Sequence, residues 1–263
     1  MMRYTADERT KRMVALIQQE AYDTFKATYP DLSSLAPVTV LITAYMEEAN
    51  IGAVLERIPP TIHSMKIDTL VIVDGGDDAT AKISKEYGAF TCVLPTNLGQ
   101  GAALRLGYRI ALEYDAQYIV TIDADGQNDP MEMGALLEPI LAQEADLVIG
   151  SRRLGKDLTS DPIRKAGVVF FAYLTSLITR TRLTDTSNGF RAMTAKLLAD
   201  IHLEQDQYQT AELLISAALR GWRVAEVPVT WKPRLSGSSK KGSNLTFGLN
   251  YAAVIAKTWL RDH

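Results

Sequence analysis

Two carboxylates separated by one residue follow an apolar run, in the sequence Ile122-Asp123-Ala124-Asp125. Alternate side chains of an extended chain share a face, so both carboxylates can point at one ligand. Like charges at that distance repel unless a cation lies between them. Oxygen ligands suit a hard divalent ion, Mg²⁺ or Mn²⁺, that also takes phosphate oxygens from a substrate. The spacing therefore favours a metal site, with a solvated acidic turn as the alternative.

Two further polar segments follow apolar runs. Asp74 precedes Gly75 and Gly76, and a carboxylate at such a strand end can accept hydrogen bonds from the N–H edge of a nucleobase. A turn followed by a helix N-cap is the alternative there. Gly99 lies among the small residues of segment 97–103, which permit close approach of a ligand. This segment lacks the Gly-Lys-Ser/Thr of a phosphate loop, so we do not expect a P-loop.

A basic segment lies near the carboxyl terminus, at residues 231–241. It holds four positive charges, including Arg234 and Lys240, no acidic residue, and several Gly and Ser. A mobile cationic loop suits neutralisation of a diphosphate or capture of a phosphorylated acceptor. A solvated surface loop is the alternative.

An alternating pattern of strands and helices must position these segments. Successive strand–helix units predict a mostly parallel sheet with helices on both faces, and ligands of such sheets bind outside the carboxyl ends of the strands. We expect residues 1–36 to form a helical extension and residues 37–263 to form the main domain. The predicted strands are 38–45, 68–75, 90–95, 117–125 and 146–152, and the predicted helices between them are 47–58, 79–87, 101–114 and 130–143.

Composition limits the partners of this protein. The net charge of −3 over 263 residues argues against nucleic acid, and a single cysteine excludes an internal disulfide. The longest apolar run, residues 166–178, is shorter than the roughly 20 residues of a membrane span. We therefore expect a soluble, cytoplasmic protein. Basic residues flank that run, so it could rest on a membrane surface or serve as a core or homodimer helix, and residues 245–260 pose the same question.

Taken in order, these segments resemble family-2 glycosyltransferases of the GT-A fold, most of all dolichyl-phosphate mannosyltransferase and related polyprenyl-phosphate glycosyltransferases, over residues 38–241. The resemblance implies a Rossmann-like, mostly parallel central sheet flanked by helices, with acceptor-side helices at the carboxyl end. It implies that Asp74 reads the base, that Asp123 and Asp125 hold the metal, and that Arg234 acts on the phosphates. The other implied donor-site residues are Thr43, Ala44, Tyr45, Glu47, Gly99, Ala124, Gln127, Arg152 and Lys240.

The implied activity is metal-dependent, inverting transfer of a hexose from a nucleotide sugar to a polyprenyl phosphate. Met46, Gly75 and Gln100 depart from the usual family residues, which leaves GDP-mannose, UDP-glucose and UDP-N-acetylglucosamine open as donors. A soluble natural-product or phosphorylated acceptor is the first alternative, and a non-catalytic nucleotide-sugar-binding module is a distant one. A nucleotidyltransferase would need a Gly-rich, lysine-containing loop after the first strand, where this chain has none.

Glu212 is the predicted general base, because the resemblance puts an acidic residue facing the acceptor in the segment Thr210-Ala211-Glu212. A hydroxyl acceptor needs a base, a step typically worth about 10²–10⁴-fold in rate, whereas a phosphate acceptor is already anionic. The alternative for Glu212 is a helix residue that accepts hydrogen bonds from an arginine or a backbone N–H.

Overall fold

The computed structural model describes residues 6–237 and 244–263. Strands and helices alternate through most of this chain, as the apolar pattern predicts. The strands are β1 (Val38–Ala44), β2 (Thr61–Ile62), β3 (Met65–Asp74), β4 (Phe90–Leu94), β5 (Tyr118–Asp123), β6 (Leu147–Asp157), β7 (Arg191–Thr194) and β8 (Val224–Trp231). The helices are α1 (Ala6–Thr28), α2 (Ile51–Glu56), α3 (Thr80–Glu86), α4 (Gln100–Glu113), α5 (Met133–Leu141), α6 (Pro162–Thr179), α7 (Ala195–Asp200), α8 (Gln209–Leu219) and α9 (Asn244–Asp262).

All eight strands belong to one mixed sheet, in the order β2-β3-β1-β5-β7-β6-β8 with β4 also paired to β3. The pairs β1–β3, β1–β5, β3–β4 and β6–β8 are parallel. Parallel register places Thr43 beside Asp123, and Asp74 lies one residue beyond the partner of Ala44. The parallel pairing thus brings the polar strand ends to one edge of the sheet.

Strand β7 runs antiparallel to both β5 and β6, between them in the sheet. It has four residues and opens with a charged one, Arg191, so it carries little of the apolar pattern that identifies a strand. The predicted Rossmann-like, mostly parallel α/β sheet is confirmed. The sequence did not indicate its antiparallel members, which are β7 and the two-residue β2 beside β3.

Side chains of the central strands alternate between two apolar layers, as expected for strands covered on both faces. Leu41 and Ile72 pack on the side of α4 and α7, with Leu106 of α4 among them. Val40 and Val73 pack on the opposite side, against α2 and α5. These two layers cover both faces of the strands that end at the polar edge.

Two groups of helices lie outside these layers. Helix α1 packs on β4 and α4, where Phe25 is buried against the rings of Tyr29 and Tyr114. Helices α6, α8 and α9 pack together through a smaller apolar cluster that includes Ile215 and Tyr251. Within the described residues, no helix is both long enough and apolar enough to span a bilayer.

Candidate active site

A cleft of about 430 Å³ opens at the carboxyl ends of the parallel strands. Residues from β1, β3 and β5 and from the loops after them form its floor. Most of the residues predicted from the sequence line this cleft: Thr43, Ala44, Tyr45, Glu47, Asp74, Gly99, Asp123, Ala124, Asp125, Gln127 and Arg234.

Asp123 and Asp125 reach the cleft by different routes. Strand β5 ends at Asp123, whose Oδ1 accepts a hydrogen bond from Gln100 Nε2 at 3.0 Å. Asp125 lies in the following turn, where its Oδ1 accepts from the backbone N–H of Gln127 at 3.1 Å and the next residue, Gly126, has a φ of +73°. The two carboxylates therefore reach one cleft because a turn follows the strand. The alternation of side chains along an extended strand, which the sequence analysis assumed, does not bring them together.

Gly189 supports Asp123 from the neighbouring segment. A Cβ at Gly189 would lie 3.1 Å from Asp123 Oδ1 and 3.3 Å from its Oδ2. A side chain at this position would press on the carboxylate, which would have to shift by a few tenths of an ångström to make room. The sequence analysis did not single out this residue.

Arg234 spans the cleft between two acidic groups. Its guanidinium forms an ion pair with Glu47, and its Nη1 lies 3.2 Å from Asp125 Oδ2. Glu47 is itself held by the amide of Asn50 at 2.8 Å. Arg234 therefore places a cation beside two carboxylates of the cleft, where an anion that enters the cleft could reach it.

Asp74 binds the protein backbone in this structure. Its two carboxylate oxygens accept from the backbone N–H groups of Leu98 and Gly99, at 2.8 and 2.9 Å. Burial raises the pKa of Asp74, and these two hydrogen bonds oppose that rise. The carboxylate thus pins loop 97–99 to the strand end while still lining the cleft.

Gly99 allows a close approach by another segment of the chain, where the sequence analysis expected a ligand. Its φ is +97°, and a Cβ there would lie 2.7 Å from the backbone oxygen of Asp206. The small residues of segment 97–103 therefore serve to seat a second loop of the chain against α4.

The structure corrects the prediction that Glu212 is the general base. Its side chain is 0% exposed, and its two oxygens accept from the backbone N–H groups of Glu204 and Gln205, each at 2.9 Å. Arg261 Nη1 lies 2.5 Å from Oε1. A carboxylate enclosed in this way has no path to a substrate proton, so the alternative of a structural helix residue fits the geometry.

Arg152 and Lys240 complete the predicted set. Arg152 is buried below the cleft, where Nε and Nη2 donate to the Asp185 carboxylate at 2.6 and 2.7 Å and the guanidinium lies 4.7 Å from the Trp231 ring. This ion pair accounts for the side chain without a donor ligand, which corrects its assignment to the donor site. Lys240 lies outside the described residues.

Arg164 lines the cleft and was missed by the sequence analysis, which treated it only as a flank of an apolar run. It follows the N-cap Asp161 in the first turn of α6. Burial lowers the pKa of Arg164, as does neighbouring Arg152, while Asp125 and Asp123 raise it. Among the described residues, no carboxylate lies within ion-pair distance of this guanidinium. A basic residue at the start of an apolar helix was the available signal.

Aromatic side chains form the wall beyond Arg164. Tyr208 and Tyr251 both line the cleft, with ring centroids 6.0 Å apart and nearly perpendicular planes. Tyr251 donates to the backbone oxygen of Thr186 at 2.9 Å, which ties α9 to the segment before β7. The cleft thus has an acidic half near β1 and β5 and a cationic, aromatic half near α6.

The acidic half fits a divalent ion that is completed by substrate. Mg²⁺ in proteins commonly uses one or two carboxylates together with substrate phosphates and water. Asp123 and Asp125 supply two such groups in one cleft. Across the described residues, no three His, Cys, Asp or Glu side chains group closely enough to hold a metal by themselves.

The chain is similar to known glycosyltransferases in sequence. The model of glycosyl transferase family 2 matches residues 39–201. A dolichyl-phosphate hexose transferase of Haloferax volcanii is 32% identical over 81% of this chain and 87% of its own length. An undecaprenyl-phosphate mannosyltransferase of Micrococcus luteus is 30% identical over 79% of this chain and 88% of its own.

Solved structures agree with this similarity at the level of the fold. Glucosyl-3-phosphoglycerate synthase from Mycobacterium tuberculosis, in complex with Mn²⁺, UDP-glucose and phosphoglyceric acid, superposes with a TM-score of 0.68. The match covers 90% of this chain and 83% of that chain, at 19% sequence identity.

Proposed function

The chain belongs to glycosyl transferase family 2 and is a glycosyltransferase, and from this we propose that it transfers a hexose from a nucleoside-diphosphate sugar to a polyprenyl phosphate. The proposed reaction is metal-dependent and inverts the anomeric centre. The observation that carries the proposal is Arg164, a cation in the same cleft as Asp123 and Asp125 with no carboxylate partner among the described residues.

The acidic half of the cleft suits the donor. Asp123 and Asp125 would hold Mg²⁺ or Mn²⁺, which when bound neutralises charge on the leaving diphosphate. Arg234 would exchange its carboxylate partners for the phosphates, and Thr43, Ala44, Tyr45 and Glu47 line the space for the nucleotide. A preformed cation aimed at developing charge is the kind of electrostatic term that contributes most to catalysis.

The cationic half suits an anionic acceptor. A phosphate is already nucleophilic near neutral pH and needs no base, which agrees with the burial of Glu212 behind the wall. Arg164 would bind and orient that phosphate through charge-assisted hydrogen bonds. The relatives named for dolichyl and undecaprenyl phosphate support the same class of acceptor.

Helix α6 also suits a lipid. Several large apolar side chains point out of its surface, among them Phe170, Tyr173 and Leu177, with exposures of 59%, 70% and 65%. Their spacing places them on one face, and Arg180 follows the helix at its far end. An apolar face with basic flanks is typical of a helix that lies in a membrane interface, where a lipid phosphate would be found.

Purified protein should be assayed with GDP-mannose, UDP-glucose and UDP-N-acetylglucosamine against a short polyprenyl phosphate, with Mn²⁺ or with EDTA. Released nucleoside diphosphate and product mass are the readouts. We expect one donor to be used, and Asp125→Asn to reduce transfer by about 100-fold or more. Arg164→Met should raise the acceptor KM by roughly tenfold or more with little change in the donor KM.

Lys165→Met is the matched control, because Lys165 is the next cation on α6 and reaches toward Asp157 instead of the cleft. It should leave both KM values unchanged. Full activity of Asp125→Asn, or of wild type in EDTA, would overturn the metal-dependent mechanism. Turnover of a soluble phosphorylated acceptor alone would overturn the polyprenyl assignment.

A further inference from the structure

A loop between α7 and α8, residues 201–208, forms part of the cleft wall through Gln207 and Tyr208. The loop rests on the amino end of α4. The backbone N–H of Gly101 donates to the Asp206 oxygen at 2.8 Å, and Arg105 Nη1 donates to the Gln205 oxygen at 2.7 Å. Contact with α4 therefore holds the loop from one side.

There is no clearance between this loop and α4. A Cβ at Gly101 would lie 2.2 Å from the backbone oxygen of Gln205. A Cβ at Gly99 would lie 3.5 Å from Gln207 Cγ, so Gln207 packs closely against Gly99. Gly99 is in turn held by the Asp74 carboxylate, which accepts its backbone N–H. A small shift of the loop would therefore alter the cleft itself.

Glu212 holds the same loop from the other side. Its oxygens accept from the N–H groups of Glu204 and Gln205, so one buried carboxylate satisfies two consecutive backbone donors. Arg261 of α9 supplies the opposite charge and is itself bound by Ser216 and Asp262. The last turn of α9 therefore compensates the buried charge of Glu212.

We propose, on the basis of the transfer reaction above, that Glu212 is a positioning residue for the acceptor half of the cleft. Its carboxylate, fixed by Arg261, clamps loop 201–208 against α4 and so sets the place of Tyr208 opposite Tyr251. Glu212 acts on the acceptor through the loop and takes no proton from it.

The first test is Glu212→Gln. The glutamine amide keeps one acceptor oxygen, but its NH₂ group replaces the other, so one of the two backbone N–H groups loses its acceptor. The negative charge opposite Arg261 is lost as well. Amide exchange at Glu204 and Gln205 should accelerate by about tenfold or more, while core amides of β1 and β5 keep their protection. The acceptor KM should rise by a similar factor with a smaller change in kcat.

The pH profile separates this role from that of a base. Removing a general base abolishes the acidic limb of kcat/KM, whereas a positioning residue leaves that limb in place. Loss of the limb in Glu212→Gln would overturn the proposal. So would an unchanged acceptor KM in a variant whose loop amides exchange faster.

Arg105→Met provides an independent route to the same loop, since Arg105 contacts Gln205 and Asp206 on the side of α4. If both residues act through the loop, their effects on the acceptor KM should be less than additive in the double variant. Additive effects would contradict a shared loop. If Glu212→Gln does not fold, Arg261→Lys combined with Arg105→Met gives the same cycle.

Asp68→Asn is the matched control. Asp68 lies in β3 and also accepts a backbone N–H, that of Ala36, at 2.7 Å. Ala36 precedes β1, so this contact lies at the edge of the sheet opposite the cleft. It should change neither loop exchange nor kinetics. The exchange measurement needs no substrate, so it tests the clamp even if the transfer reaction is not the one proposed.

Discussion

Removing the charge of Asp185 should destabilise the protein strongly, because it leaves the Arg152 guanidinium buried without an anion. The two side chains are 0% and 4% exposed. Asp185 accepts from Nε, Nη2 and the backbone N–H of Arg152 at 2.6, 2.7 and 3.1 Å. Burial raises the pKa of Asp185, but the hydrogen bonds and the charge of Arg152 outweigh that effect and hold the pKa below its ordinary value. The pair is therefore ionised at neutral pH.

The magnitude follows from the burial. Breaking a buried pair by removing one partner costs about 3–5 kcal/mol, whereas an exposed pair contributes about 0–1 kcal/mol. At about 2–4 °C per kcal/mol, Asp185→Asn should lower Tm by roughly 6–20 °C. The Trp231 ring, 4.7 Å from the guanidinium, remains in contact but is a much weaker partner than a carboxylate.

Thermal unfolding followed by circular dichroism at pH 7 would measure this loss. Replacing both charges, with Arg152→Met and Asp185→Leu together, should cost less than Asp185→Asn alone, since no buried charge stays unpaired. Because the folded-state pKa of Asp185 is lowered, its contribution is present above the unfolded value and is lost as pH falls through the folded pKa. A cost below about 1 kcal/mol for Asp185→Asn would refute the structural role of Arg152.

Three further predictions concern residues of the helices. Gly107→Ala should lower stability by about 1–3 kcal/mol in thermal melts, because a Cβ would lie 2.4 Å from Leu41 Cδ1 in the core. Gly167→Ala in α6, with nothing within 4 Å, should instead raise it by about 0.5–1 kcal/mol. The double variant Tyr173→Ser/Leu177→Ser should reduce co-sedimentation with vesicles of phosphatidylcholine and phosphatidylglycerol at least about tenfold. Tyr87→Ser is the control, because Tyr87 is also exposed but lies at the end of α3, and it should leave co-sedimentation unchanged. If the protein is a dimer in the absence of lipid and the double variant is a monomer, this face of α6 binds a second copy of the chain and not a membrane.

Much of the acidic half of the cleft could be predicted from local sequence. An apolar run that stops at a carboxylate identifies both a buried strand and the polar group at its end, as with Asp74 and Asp123. Parallel neighbours then bring those ends together without further information. The type of each element and the residues at its end are properties of a few consecutive residues, so they can be read before the fold is known.

Strand β7 and the cationic half of the cleft could not be predicted in this way. Strand β7 is too short to show a period, and its place in the sheet depends on strands that are distant in sequence. Arg164 is one of several basic residues near α6, and only packing turns it into the cleft.

The roles of charged side chains divide along the same line. The sequence by itself determined that Asp123, Asp125 and Glu212 are carboxylates close to the end of a strand or the start of a helix. Only the tertiary structure decided that the first two line a cleft while Glu212 is enclosed by a loop and by Arg261, 49 residues further along the chain. The physical reason is that residue type and local conformation depend on near neighbours, whereas burial and charge partners depend on which distant segments pack together.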